Sequence, residues 1–277
     1  MLLQVRDLSI SFDLGGGVVS NPVRGVSFDV PEGGRVAIVG ESGSGKSLTA
    51  LAIGGLVDRA KISGSIAGSP RIAYIFQNPM QSLNPVMRIG DQIREVGAID
   101  LSLVGLPAGT ERKYPCQLSG GQQQRAMIAM ALAQNPDLLV ADEPTTALDV
   151  TTQQEVLELV DRLADARNMA VLLITHNLGI VAQHSSYLNV MYAGEIVEAG
   201  PVHDILYAPV HPYTKGLLSA VPRLDRPKDA FLADIPGVVP PPTAWPTGCA
   251  FHPRCAFAGE DCAIKSRVKC MARAPRY

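Results

Sequence analysis

The segment from Gly40 to Ser47 limits what this chain can fold into more than any other. It reads Gly-Glu-Ser-Gly-Ser-Gly-Lys-Ser and fits the pattern G-x-x-x-x-G-K-[ST] at every position. A short apolar strand, residues 35–39, precedes it, and a helical stretch, residues 46–57, follows it. Glycines let backbone N–H groups turn inward around an anion, and the positive end of the following helix points at the same place. The sequence therefore predicts a phosphate-binding loop between a strand and a helix.

Every residue of this loop is a candidate nucleotide ligand. The Lys46 ammonium is expected to reach the β- and γ-phosphates, and the Ser47 hydroxyl is expected to coordinate Mg²⁺. The remaining candidates supply backbone N–H groups or turn geometry, and they are Gly40, Glu41, Ser42, Gly43, Ser44 and Gly45.

A second constellation lies at the end of an apolar strand that reads Leu138-Leu-Val-Ala-Asp142-Glu143. A buried strand rarely ends in two carboxylates unless a cation or a proton needs them. Asp142 suits the Mg²⁺ shell, and Glu143 suits a general base that polarises an attacking water. Together with the phosphate loop, this pair predicts hydrolysis of a nucleoside triphosphate.

A second anion site is predicted where Leu118-Ser119-Gly120-Gly121-Gln122 opens a helix. Ser119 is a suitable N-cap, and the glycines expose amides at the positive helix end. One phosphate tail cannot occupy both anion sites of a monomer at this spacing, so the second site is expected to serve a partner's nucleotide. The segment LSGGQ resembles the signature sequence of ABC ATPases, and its combination with the two other motifs identifies the chain as a member of that family.

The resemblance implies four further site residues. Gln77 matches the Q-loop glutamine that senses the γ-phosphate, contributes to the Mg²⁺ site and touches the permease. Asp149, in Ala147-Leu148-Asp149, matches the D-loop at the dimer interface. His176 matches the switch histidine, and Phe12 matches the aromatic residue that stacks on adenine. Without the other motifs, His176 would be interpreted as a structural histidine and Phe12 as an ordinary core aromatic.

The resemblance also implies the fold, an α/β P-loop ABC nucleotide-binding domain with a parallel sheet core. Residues 1–222 are expected to form this domain, with an antiparallel β subdomain at its N-terminal side and a short helical subdomain inserted at about residues 78–125. The triplet Gly15–Gly17 has no lysine after it and is interpreted as a hairpin loop. Forty residues, 78–117, separate Gln77 from Leu118, fewer than the family usually has. The chain is either naturally compact there or lacks segments.

The C-terminal part of the sequence resembles one particular group within this family. The segments His211–Leu218, Ile235–Gly237 and Gly248–Cys255 look like the tail of oligopeptide, dipeptide and nickel importer ATPases. The resemblance implies ATP-driven uptake of oligopeptides or dipeptides, with nickel or another small solute as the alternative. It also implies a second ABC ATPase in a heterodimer rather than a homodimer, two transmembrane permeases and, indirectly, an extracytoplasmic solute-binding protein. The implied location is the cytoplasmic face of a bacterial inner membrane, as a peripheral subunit.

Residues 223–277 are predicted to form a Pro/Cys-rich extension that a hydrophobic core alone would hold poorly. Four cysteines lie there, Cys249, Cys255, Cys262 and Cys270, spaced C-x5-C-x6-C-x7-C. Structural zinc sites usually pair cysteines more closely, whereas a [4Fe–4S] cluster takes four thiolates at looser spacing. Some members of the resembled family are thought to hold such a cluster. A mixed zinc site with His252, or no metal, are the alternatives.

The overall composition excludes two other classes of protein. The net charge is −2, so no broad basic face for nucleic acid is predicted. The longest apolar run, Ala126–Ala133, is too short to span a bilayer, and the first residues do not resemble a signal peptide.

ABC-type ATPases of DNA repair, chromosome structure or translation form a competing class. They usually carry long heptad coiled coils, zinc modules or a second cassette, which this sequence does not show.

Overall fold

The protein is described here by a computed structural model covering residues 1–146, 148–221 and 234–264. Its strands are β1 (Leu3–Asp13), β2 (Val19–Val30), β3 (Arg35–Val39), β4 (Lys61–Ala67), β5 (Ile72–Ile75), β6 (Leu138–Asp142), β7 (Ala170–Thr175), β8 (Tyr187–Tyr192) and β9 (Glu195–Pro201). Its α-helices are α1 (Lys46–Ile53), α2 (Pro79–Ser82), α3 (Ile89–Val96), α4 (Gly120–Ala133), α5 (Val150–Arg167), α6 (Leu178–His184), α7 (Val202–Tyr207), α8 (Pro212–Ala220) and α9 (Glu260–Ile264). None of the helices in these ranges is long and apolar enough to cross a membrane.

The chain divides into two compact units. The first unit comprises residues 1–3, 30–35 and 68–174, and the second comprises residues 4–29, 36–67 and those from Thr175 onward. The predicted domain limits at about residue 222, and at about residues 78 and 125, remain predictions.

The first unit contains parallel strands of the kind that the family resemblance implies. Strands β5, β6 and β7 pair in parallel in that order, so their carboxyl ends share one edge. Strand β6 is buried up to Ala141 and only Asp142 is partly exposed, which places the polar residues at the strand end. Between β5 and β6 the described chain is helical, with α2, α3, three short 3-10 turns and α4.

The second unit contains the N-terminal sheet. Strands β2, β1 and β4 form a sheet in that order. The predicted hairpin loop is confirmed, since all three residues of Gly15–Gly17 have positive φ and the Leu14 N–H donates to the Val18 carbonyl. Strand β4 was not predicted. It reads KISGSIA, its side chains are mostly exposed, and so it lacks the buried alternation that marks a strand in sequence.

The second unit also carries the strand that leads into the phosphate loop. Strand β3 pairs in parallel with β8, and β8 pairs antiparallel with β9, so this part of the fold is mixed rather than purely parallel. Helix α1 begins at Lys46 as predicted but ends at Ile53 instead of residue 57. The pair Gly54-Gly55 stops it, because Gly55 adopts a left-handed conformation with φ of 67°.

The C-terminal extension is better packed than its sequence predicts. Ala250 and Phe251 are 3% and 4% exposed and join a hydrophobic core of the second unit with Tyr192 and Tyr213. The Trp245 indole N–H donates to the Asn21 carbonyl at 2.7 Å. The expectation that a hydrophobic core would hold this extension poorly is therefore wrong for its described residues, 234–264.

Candidate functional site

The phosphate loop lies between β3 and α1, as the motif predicts. A Cβ atom at Gly40 would lie 2.1 Å from the Met191 carbonyl oxygen, and one at Gly45 would lie 2.5 Å from that of Pro22. Gly45 also has φ of 102° and is the N-cap of α1. These glycines are required because the loop packs directly on neighbouring backbone.

Lys46 is held over this loop. Lys46 is only 6% exposed. Its Nζ donates to the carbonyl oxygens of Gly40 and Glu41, both at 2.9 Å. These bonds compensate the burial of an ammonium group, which would otherwise be costly. Ser44 is fully buried, whereas Ser42, Gly43 and Ser47 are exposed and accessible to a ligand.

Gln77 and Glu143 are brought together in the first unit. The Gln77 side-chain amide donates to Glu143 Oε2 at 3.1 Å, and the Thr146 hydroxyl donates to the same oxygen at 2.9 Å. Glu143 has φ of 46°, and its backbone N–H donates to the Ile174 carbonyl at 2.8 Å. A non-glycine residue with a positive φ is unusual, and such residues are often found at functional sites.

The signature segment forms the start of α4, as predicted. The Gln122 N–H donates to the Ser119 hydroxyl oxygen at 3.3 Å, and the Ser119 N–H donates to Gln122 Oε1 at 3.2 Å. This reciprocal pair is a capping box. Ser119 and Gly120 are exposed, so amides at the positive helix end face solvent.

Asp149 begins α5 in the same unit. Its carboxylate accepts from the Thr152 N–H at 3.0 Å and from the Thr152 hydroxyl at 2.8 Å, and these bonds lower the pKa of Asp149. A cleft of about 90 Å³ is lined by residues of three segments. They are Gln77 of the Q-loop, Gly120 and Gln124 of the signature helix α4, and Leu148 just before α5. Ala147, the other D-loop residue, lies outside the described residues.

The remaining candidates belong to the second unit. His176 is exposed and follows β7, and Phe12 is partly buried near the end of β1. The sequence did not identify two residues that contact the phosphate loop here, Tyr213 and Arg254. Both lie in C-terminal segments that resemble the family tail, but neither segment indicates a contact with Glu41.

The cysteine segment is only partly described. The Cys249 N–H donates to the Cys262 carbonyl at 2.8 Å, which joins the backbones of two cysteines, and His252 Nδ1 lies 2.9 Å from the Cys249 carbonyl oxygen. Within residues 1–146, 148–221 and 234–264, no group of three or more His, Cys, Asp or Glu side chains is placed to hold a metal ion. Cys270 lies outside these ranges.

Comparisons with known protein families and solved structures agree with the phosphate loop and the α/β fold described above. The family model described as "ABC transporter" matches residues 23–146, and the model "Oligopeptide/dipeptide transporter, C-terminal region" matches residues 197–262. One similar solved structure is the dimeric ATP-binding cassette MJ0796 in a post-hydrolysis state with ADP and Pi. It matches this chain with a TM-score of 0.63 at 26% identity, and the match covers 73% of this chain and 99% of the MJ0796 chain. By fold and motifs, the chain is an ABC ATPase.

Curated relatives narrow the family. The dipeptide transport ATP-binding protein DppD of Escherichia coli is 44% identical over 301 residues, covering 94% of this chain and 90% of the relative. The oligopeptide transport ATP-binding protein OppD of Bacillus subtilis is 44% identical over 294 residues, with coverage of 93% and 82%. The chain belongs to the ATP-binding subunits of the oligopeptide and dipeptide ABC importer family. Its reaction is ATP hydrolysis, and its partners include transmembrane permeases.

These alignments also bear on the compact helical region. They extend over 301 and 294 positions, more than the 277 residues of this chain. This chain therefore lacks segments that the relatives contain, in agreement with the short spacing between Gln77 and Leu118.

Proposed function

We propose that this chain binds ATP with Mg²⁺ at Gly40–Ser47, hydrolyses it with Glu143 as general base, and so drives uptake of dipeptides or oligopeptides. The observation that carries the catalytic assignment is the pair of hydrogen bonds that Gln77 and Thr146 donate to the Glu143 carboxylate. A carboxylate held by two neutral donors has a fixed direction and keeps lone pairs for a water proton.

The residue types that the family resemblance assigns to Mg²⁺ suit this ion. Ser47 carries a hydroxyl, Asp142 a carboxylate and Gln77 an amide oxygen, and Mg²⁺ prefers oxygen ligands of this kind. When bound, the metal would neutralise charge on the β- and γ-phosphates. Lys46 adds a positive charge at the same phosphates, and the backbone amides of the loop surround the β-phosphate.

In this proposal Glu143 accepts a proton from the water that attacks the terminal phosphorus. Gln77 and His176 position the terminal phosphate and the attacking water. Phe12 stacks on adenine, and Ser119–Gln122 with Asp149 contact the nucleotide of the partner subunit. A second ABC ATPase, distinct from this chain, completes the dimer at the cytoplasmic face of the membrane, and a solute-binding protein delivers the peptide to the permeases.

Replacing Glu143 by glutamine tests the catalytic assignment. Glu143→Gln keeps the shape of the side chain but removes its capacity to accept a proton, so turnover of the assembled transporter should fall by roughly 10²–10⁴-fold while ATP binding persists. The matched control is Glu155→Gln in the same unit, where the carboxylate pairs with Arg125 at 3.0 Å on the surface. Near-native turnover in Glu143→Gln would exclude Glu143 as the base.

The transported solute is tested by uptake. The printed names of the relatives, dipeptide and oligopeptide transport proteins, support a peptide. Cells or vesicles that contain the assembled transporter should accumulate a labelled dipeptide in an ATP-dependent manner, and Lys46→Ala in this chain should strongly reduce the accumulation. Uptake of nickel ions without peptide uptake would favour the alternative solute.

The C-terminal cysteines are proposed to hold a structural [4Fe–4S] cluster. The hydrogen bond between the Cys249 and Cys262 backbones supports it, because it brings the backbones of two of the four cysteines next to each other. Anaerobic purification should give a brown protein that absorbs near 400 nm and holds about four irons per chain. A colourless, iron-free protein whose four thiols alkylate in the folded state would exclude both the cluster and zinc.

A further inference from the structure

Glu41, the second residue of the phosphate loop, is contacted by two residues from distant parts of the chain. Its backbone N–H donates to the Tyr213 hydroxyl oxygen at 2.9 Å. Its carboxylate accepts two bonds from the Arg254 guanidinium, at 2.8 and 3.3 Å. These contacts are separated by 172 and 213 positions in sequence, and all three residues belong to the second unit.

The position of Arg254 is fixed by the C-terminal extension. Its side chain is only 6% exposed, and it donates to the carbonyl oxygens of Pro236 at 2.9 Å and Ile235 at 3.1 Å. The guanidinium carbon also lies 5.7 Å from the ring centre of Tyr192 and 6.0 Å from that of Phe251. A planar guanidinium held at this many points is suited to bind a carboxylate in a defined direction.

Tyr213 is fixed equally well. It is fully buried at the start of α8, and its ring lies 4.6 Å from that of Tyr192 and 5.4 Å from that of Phe251. The preceding residue pair, His211-Pro212, begins the helix, and His211 Nδ1 accepts the Tyr213 N–H at 3.1 Å. The hydroxyl oxygen therefore meets the loop from a rigid support.

The contacts bear directly on the lysine of the loop. Lys46 Nζ donates to the carbonyl oxygens of Gly40 and Glu41, so Glu41 is held through its N–H, its carbonyl and its carboxylate. The carboxylate is also a negative charge beside a loop that binds a triphosphate. Without a cation next to it, this charge would repel the nucleotide, because like charges interact strongly where water is partly excluded.

We infer that Arg254 and Tyr213 are positioning residues of the phosphate loop, and that the C-terminal extension thereby sets the affinity for ATP. Arg254 neutralises Glu41 and directs its carboxylate toward the extension, while Tyr213 fixes the backbone at which the loop begins. This inference rests on the proposed nucleotide binding at Gly40–Ser47. It assigns the described part of the extension a role in ATP binding that does not depend on a metal bound by the cysteines.

Binding of ATP with Mg²⁺ to the full-length chain, measured by titration calorimetry, tests the inference. Arg254→Gln leaves the Glu41 charge uncompensated and should weaken binding about tenfold, the effect of one partly screened charge near a bound anion. Adding Glu41→Gln to it removes that charge, so the double variant should return to within about threefold of native affinity. Tyr213→Phe loses one hydrogen-bond acceptor and should weaken binding about threefold.

The rescue separates positioning from mere structural support. The double variant still lacks the Arg254 bonds to Pro236 and Ile235, so a purely structural role predicts that it binds as weakly as Arg254→Gln. Native affinity in Arg254→Gln, or no recovery in the double variant, would overturn the inference. If Arg254→Gln does not fold, Arg254→Lys replaces it, with binding about threefold weaker expected because the two-point geometry is lost; native affinity would again contradict the inference.

Two further variants serve as references. Arg6→Gln removes a 2.6 Å ion pair to the buried Asp29 within the same unit, at two positions outside the loop sequence, and should leave ATP affinity unchanged. Lys46→Ala should abolish binding. If Lys46→Ala bound ATP normally, the proposed function of the loop would fail irrespective of Arg254, so the two failures are distinguishable.

Discussion

His211 is a buried imidazole whose neutral form is needed by the fold. It is 5% exposed, its Nδ1 accepts the Tyr213 N–H at 3.1 Å, and its own backbone N–H donates to the Glu198 carboxylate at 3.0 Å. Burial lowers the pKa of His211 to about 4, and the Glu198 charge opposes this only in part. A protonated ring cannot accept a hydrogen bond at Nδ1, so protonation removes the cap of α8.

This residue predicts a loss of stability in acid. The folded-state pKa lies below the ordinary value of 6.5, so the unfolded chain takes up the proton first as the pH falls. The contribution of His211 is fully present above about pH 6.5 and is lost as the pH falls toward 4, by at most about 3 kcal/mol. His211→Asn can still accept at the helix start but does not titrate. Its urea-unfolding midpoint should therefore depend less on pH in this window.

The control for this prediction is His203→Asn. The His203 side chain is 79% exposed, so its replacement should leave the pH dependence of the native protein unchanged. Equal slopes for His211→Asn and the native chain between pH 6.5 and 4 would show that His211 does not cause the acid sensitivity.

At the residue scale, the sequence indicates candidate site residues that belong to a local motif and does not indicate contacts between distant segments. Lys46 and Ser47 follow from a motif eight residues long, and Asp142 and Glu143 follow from their place at a strand end. The contacts of Glu41 with Tyr213 and Arg254 depend on the packing of distant segments, which no local pattern encodes. The Gln77–Glu143 hydrogen bond likewise needs the parallel pairing of β5 and β6, which brings their carboxyl ends together.

At the scale of elements, the sequence indicates the start of a helix where a residue suits the N-cap position. Helix α4 begins directly after Ser119, the predicted N-cap, and α5 begins directly after Asp149, which caps it in the same way. The end of α1 was misplaced because the apolar pattern continues past Gly54-Gly55, whose backbone freedom stops the helix. Strand β4 was missed because an exposed edge strand has little hydrophobic alternation.

The cap of α5 supports a prediction for this element. Asp149→Ala removes both bonds to Thr152 and should accelerate amide hydrogen exchange in the first turn of α5 about fivefold, the usual effect of losing an N-cap. Because hydrogen bonds from Thr152 lower the pKa of Asp149, the cap should persist in mild acid. Asn177→Ala is the matched control, since Asn177 caps α6 through Gly179 and Ile180. The assignment would be contradicted if Asn177→Ala accelerated exchange in α5, or if Asp149→Ala did not accelerate it.

At the scale of the whole molecule, the position of the C-terminal extension was the least predictable feature. Its prolines and cysteines indicate an irregular segment, and its described residues are indeed mostly irregular. Its anchors are single residues, Phe251 in the core, Trp245 on Asn21 and Arg254 on Glu41. Isolated anchors of this kind leave no periodicity in the sequence, so only a three-dimensional structure reveals them.

The last prediction concerns the assembly of two ATPase subunits. Ser119 and Gly120 expose a helix N-terminus in the first unit, and the phosphate loop lies in the second unit. A related cassette, MJ0796, is dimeric in its ADP- and Pi-bound structure. Each complete site is expected to combine Lys46 of one subunit with Ser119 and Gly121, or their counterparts, of the other. Lys46→Ala and Ser119→Arg in this chain should therefore damage different sites of a heterodimer.

Mixing variants distinguishes a heterodimer from a homodimer. In a homodimer, the Lys46→Ala and Ser119→Arg chains complement each other, because a mixed dimer has one doubly damaged composite site and one intact site. Mixed dimers make up about half of a random equimolar mixture, so about a quarter of the native turnover should return. In the expected heterodimer, the same mixture stays inactive. Each variant chain then retains partial turnover only when the distinct partner subunit and the permeases are present. Full ATP hydrolysis by either single variant as an isolated monomer would contradict the shared site, because it would show that one chain alone supplies every group that the reaction needs.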